Sequence, residues 1–192
     1  MSRKLSFEFD VEKFVNASAY LLERCPGVTK MKLAKLLYFA DKEHLLNYGR
    51  PILGDRYIKM EFGPVPSRGY NLMKGESTAE DQELFDRHIS VTGNDISLRA
   101  SADKRHLSET DIEALDEACK RYGQLTAAQL SHFSHREPAW MNADLNSEMD
   151  YRLLFANRTN AAGVEQMAQD DQELKDALAE SVFEEILESL RS

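Results

Sequence analysis

The sequence predicts an α+β fold that is predominantly α-helical: a helical bundle around a central buried helix at about 29–48, with a small antiparallel β-sheet or hairpin at about 55–62 and 88–100. Three observations carry this reading. From Leu33 to Ala40 only Lys35 is polar. A stripe that wide is too apolar for a surface helix, so this segment belongs at the centre. Other segments open on a capping residue and then repeat apolar residues at helical spacing. Ile89-Ser90-Val91 and Ile96-Ser97-Leu98 alternate with period two around Gly93-Asn94, the pattern of a hairpin.

Taken in order, Asp10 caps the first helix, with Phe9 and Phe14 as its hydrophobic staple. Val11, Phe14, Val15, Ala19 and Leu22 form its apolar face, and Pro26-Gly27 ends it. Thr29 caps the central helix, Val28 and Leu33 staple it, and Gly49 stops it. The turn between the two is short, so they are expected to lie antiparallel. Lys32, Lys35 and Lys42 recur at helical spacing and read as a narrow wet edge. Arg50-Pro51, Gly54-Asp55 and Gly63-Pro64-Val65-Pro66 then form a crossing, because each proline fixes its own φ and extends the residue before it. Within it, Asp55 to Phe62 reads as one short strand, and Val65 is expected to be buried. Ser67 caps a closing helix that Gly75 ends.

Glu76 to Asp81 is polar and reads as a loop, with a half-turn of helix around Leu84-Phe85. The following hairpin is expected to join the strand near Tyr57–Met60 in one small sheet, since a lone hairpin is marginal in water. Ser108 with Asp111 at N3, and Leu107 with Ile112 as staple, open a helix whose stripe is Ile112, Leu115, Cys119 and Tyr122. Gly123 stops it. Thr126 and Gln129 form a capping box for the next helix, with Leu125 and Leu130 as staple and Leu130 and Phe133 turned inward. It should end near Glu137-Pro138, with Trp140 locking that end onto the core.

A length of 192 residues suits one domain with an extension. The polar stretch 157–163 divides a domain, 1–156, from an acidic amphipathic helix, 157–192. Leu178, Val182, Phe183, Ile186 and Leu190 fall on one stripe of that helix, which must be buried on its own domain or on a partner. Net charge is −9 overall, yet residues 29–75 hold 9 basic and 4 acidic groups. The overall sign opposes non-specific nucleic-acid binding, while the basic middle suits an acidic partner. No apolar run approaches the ~20 residues of a membrane helix. No secretory signal is apparent, so the location is expected to be cytoplasmic, with Cys25 and Cys119 read as two reduced core thiols and a disulfide between them as the alternative.

Chemistry is sparse. Asp41 and His44, and His132 and His135, are two pairs each one helical turn apart. Such pairs can hold zinc or iron when they converge, but their spacing is no recognised ligand motif. The reading preferred here is a polar cluster in which Asp41, His44 and His135 tie the central helix to the Gly-Arg-Pro turn and the Trp140 segment. No nucleophile elbow, Cys–His pair or phosphate loop is present, so neither catalysis, nor metal, nor cofactor is expected.

Asp41-x-x-His44, Tyr48-Gly49-Arg50-Pro51, Gly54-Asp55-x-Tyr57, Met60 and Gly63-Pro64-Val65-Pro66-Ser67 together resemble the Panacea domain of SocA-like and phage-associated bacterial antitoxins. The likeness resumes at Leu107-Ser108-Glu109-x-Asp111 and His135-x-x-Pro138-Ala139-Trp140, and covers roughly residues 8 to 145. It implies an antitoxin of a bacterial or phage-borne type II-like toxin–antitoxin system that neutralises a cognate protein toxin by direct binding. It also admits an adaptor handing the toxin to an ATP-dependent protease; a metal-dependent enzyme is the third alternative. The motif positions are then structural or partner-binding, and Leu178, Val182, Phe183, Ile186 and Leu190 are the candidate toxin contacts. Some relatives carry an added DNA-binding segment. This chain starts almost directly with the domain, so direct DNA binding is not expected.

Overall fold

The computed structural model describes residues 6–155. At its centre is α2 (Lys30–Tyr48), buried continuously from Lys32 to Asp41 and again at His44 and Leu45. Thr29 caps it through the Lys32 amide, and Gly49 closes it in the left-handed conformation. Around it pack α1 (Val11–Arg24), α5 (Glu109–Tyr122), α6 (Ala127–His135) and the strand β2 (Gly63–Pro66). Asp10 caps α1, and Ser108 and Thr126 each open a complete capping box, as their spacing predicts. The core joins Phe14, Leu21, Leu33, Leu36, Leu37, Tyr38, Leu115 and Leu130, all at most 1% exposed.

The wet edge predicted along α2 is not wet. Lys32 is 7% exposed and Lys35 1%. Lys32 reaches its acceptors through a long apolar stem: its Nζ donates to the carbonyls of Gly123 and Pro26. Lys42 is half-buried and paired with Glu137. Helical spacing places these lysines on one side, but α5, α6 and β2 cover that side too.

The expected single strand from Asp55 to Phe62 is a hairpin of its own. β1 (Tyr57–Met60) turns at Glu61-Phe62 into β2, pairing Tyr57 with Pro66 and Met60 with Gly63. Both prolines can lie in β2 because a two-stranded hairpin leaves an unpaired edge. β1's other edge is covered by residues 146–149, through the bonds Lys59 N to Ser147 O, Asn146 N to Lys59 O and Met149 N to Tyr57 O. β3 (Ile89–Thr92) and β4 (Asp95–Leu98) form the predicted hairpin over Gly93-Asn94, in a second sheet rather than a shared one. It is held to the body by Ile89 and Ile96 in the core and by the Lys30 amide donating to Asn94 O.

After β2 comes α3 (Ser67–Lys74), and then α4 (Ala79–His88) where only a half-turn was expected. Thr78 caps α4, and Phe85 alone is fully buried in it. A short α7 (Pro138–Met141) carries Trp140. Cys25 and Cys119 are not separate thiols: their sulfur atoms join as a disulfide linking the end of α1 to α5. A separation of 94 residues hides that meeting from any local pattern.

Candidate functional site

Asp41, fully buried on α2, accepts from the amides of Ile52 (2.8 Å) and Leu53 (3.0 Å) and from the Tyr57 hydroxyl (3.0 Å). It fastens the Arg50-Pro51 turn and β1 to the central helix. Burial raises its pKa to about 7, against the pull of those three donors. Asp55 does similar work for α3. Pro66 occupies that helix's N-cap and has no capping side chain, so the predicted Ser67 cap is replaced by a remote one. Asp55 Oδ1 accepts from Arg68 N and Oδ2 from Gly69 N, two of the amides a helix start leaves unpaired. Between these two carboxylates, Gly54 has φ +67, and a Cβ there would run into the carbonyl of Glu8.

His44 Nδ1 donates to the Arg50 carbonyl at 2.7 Å, which leaves Nε2 to meet the Thr110 hydroxyl at 3.0 Å. Burial lowers its pKa, while the Arg50 carbonyl and the Asp111 carboxylate act in the other direction. Asp111, fully buried at the start of α5, is approached from three directions, by two cations and an imidazole. Lys13 of α1 donates to Oδ2 at 2.8 Å; Arg50 and His44 each lie 3.2 Å from Oδ1. Burial alone would raise its pKa, but Lys13 and the Ser108 amide and hydroxyl outweigh that and lower it. In the sequence Asp111 stands out as a capping residue and as part of the Leu107–Asp111 motif. No local signal links it to Lys13, 98 positions away.

His135 does not join this group, so the single cluster expected of Asp41, His44 and His135 is corrected to separate sites. Its ring stacks on Trp140 at 4.0 Å, and Lys59 Nζ sits 4.1 Å from the Trp140 ring centre. Burial, aided by Lys35, His132 and Lys59, lowers the His135 pKa. The two i, i+3 pairs do not converge. Among the described residues no three His, Cys, Asp or Glu side chains gather in a metal-holding group.

Beside this core lies a groove of about 190 Å³ between the first turn of α2, the β1–β2 hairpin and Tyr70 of α3. Met31, Met60, Phe62, Val65 and Tyr70 line it, with Lys35 at its floor. Val65, expected in the core, is half-exposed here because its strand presents that face to the groove.

The family model for antitoxin SocA-like proteins with the Panacea domain matches residues 33–141, more than half of the chain. The chain belongs to the SocA-like antitoxin family. No curated protein and no solved structure matched it. The Panacea match runs from Leu33 of α2 through Met141 of α7, and so takes in Asp41, His44, Gly49 to Pro51, Gly54, Asp55, Tyr57, the Gly63–Ser67 run, Asp111, His135 and Trp140. Within the Panacea domain, Pro51, Pro64 and Pro66 are buried, and Arg50 keeps a partly exposed guanidinium at the surface. Leu178, Val182, Phe183, Ile186 and Leu190 lie outside the described residues. No helix among the described residues is long and apolar enough to cross a membrane.

Proposed function

We propose that this protein neutralises a cognate protein toxin by direct one-to-one contact, as the antitoxin half of a bacterial or phage-borne type II-like system. The match to the SocA-like antitoxin model over residues 33–141 carries the proposal. The chemistry of the buried acids supports it. The carboxylates of Asp41, Asp55 and Asp111 are engaged by backbone amides, a tyrosine, a lysine and an arginine of their own fold. Side chains so engaged hold a scaffold in shape, which is what a binding protein needs.

The test starts from a pull-down with mass spectrometry to obtain the partner. The purified partner should arrest growth or inhibit its target alone, and titration with this protein should restore function at a one-to-one end point. Restoration only with an ATP-dependent protease and ATP present would replace direct neutralisation by delivery to proteolysis. Loss of restoration on adding a chelator would point to metal-dependent catalysis instead.

A further inference from the structure

The groove beside Gly63 has an unusual floor. Lys35 is 1% exposed, yet among the described residues no hydrogen bond or ion pair engages its ammonium. Lys32 and Lys42, its neighbours on α2, are both partnered. A buried cation without an anion is costly and is normally paired. Gly63 creates the space: a Cβ there would stand 2.6 Å from Lys35 Nζ. Desolvation lowers the Lys35 pKa to about 8, which leaves the group mostly charged at neutral pH. The groove is also lined by Met31 at 37% and Phe62 at 56% exposure, two of the few large apolar side chains open to water among the described residues. Lys30 stands at the rim over Tyr70, and Glu61, the one carboxylate among the described residues that line the groove, is exposed.

We propose that this groove receives a short acidic and apolar segment of the toxin, one apolar side chain filling the cavity and an adjacent carboxylate pairing with Lys35. The proposal rests on the toxin-binding reading above and names the surface and the chemistry it recognises. Opposite charge selects the carboxylate, because the ammonium is already largely desolvated and gains a partner while losing little water. Met31 and Met60 supply flexible walls that adapt to the apolar side chain.

The test selects short random peptides on the full-length chain and measures the enriched ones against variants. Enrichment of Asp or Glu beside Leu, Met or Phe is expected. Binding to Lys35→Met should be weaker by about tenfold or more, the loss of one desolvated charge pair. Met31→Glu with Phe62→Glu changes exposed positions only, so it tests the groove even where Lys35→Met fails to fold, and it should weaken binding similarly. Peptides without a carboxylate preference, or with equal affinity for these variants, would overturn the proposal. So would displacement of the peptides at lower concentration by a synthetic peptide of residues 170–192, which would give the groove to the chain's own tail. The underlying reading fails separately. If peptides bind as expected but the wild-type chain restores no toxin target, neutralisation falls and the groove stands. If the folded variants neutralise as well as wild type, the groove falls and neutralisation stands.

Discussion

Gly63 sets the local backbone by lacking a side chain. Its φ is +104, and a Cβ would lie 2.5 Å from Ser134 Oγ and 2.6 Å from Lys35 Nζ. Gly63→Val combines backbone strain with two collisions, so it should cost about 1–3 kcal/mol. A denaturation midpoint equal to wild type would remove this account. Asp41 yields a different test. Its folded pKa is about 7, above the ordinary value for an aspartate, so the native state holds the proton more tightly than the unfolded chain. Its favourable contribution is complete below pH ~4 and is lost as pH rises through ~7. Asp55 is shifted in the same direction by burial. The melting temperature of wild type should therefore fall, relative to Asp41→Asn, between pH 4 and pH 7. Parallel curves would show that Asp41 does not titrate in that window. The sequence made Asp41, Asp55 and Gly63 visible by their motif positions. The roles were hidden, because Asp55 caps a helix 12 residues downstream and Lys35 interrupts an apolar run without revealing what covers it.

Helices are joined here by polar and charged residues as well as by apolar packing. Asp111 connects α1 through Lys13, α2 through His44 and the turn after α2 through Arg50. Asp111→Ala leaves Lys13 and Arg50 without their shared anion and removes half of a capping box. The expected cost is about 2 kcal/mol, below the full scale for breaking a buried ion pair because the Lys13 and Arg50 side chains are 21% and 44% exposed and regain water. Chemical denaturation measures it, and a loss below about 1 kcal/mol would reduce the hub to an ordinary helix cap. Element boundaries were legible where a cap precedes a clear apolar stripe: Asp10, Thr29, Ser108 and Thr126 each start the helix their spacing predicts. Among the elements that escaped, two did so for plain physical reasons. β2 contains Pro64 and Pro66, residues that argue against a strand until its unpaired edge is known. α4 buries only Phe85, so its helical stripe is too thin for periodicity to register.

On the scale of the whole molecule, charge is segregated. Residues 29–75 hold 9 basic and 4 acidic groups, whereas residues 157–192 hold 3 basic and 9 acidic ones. The family match stops at residue 141, so the acidic segment lies beyond the matched residues. It carries Leu178, Val182, Phe183, Ile186 and Leu190 at helical spacing, and we propose that this stripe contributes to choosing the toxin. Acidic charge beside it would speed encounter with a basic partner more than it would tighten the complex. Truncation after Gly163 should then leave a cooperatively melting domain that neutralises toxin more weakly. Val182→Asp with Ile186→Asp should reproduce the effect, since two charges on the stripe forbid its burial. Full neutralisation by a folded truncated chain would remove the segment from recognition. Loss of cooperative melting would show instead that the stripe packs on its own domain, where its contribution is to stability and the groove over Lys35 is left as the candidate contact.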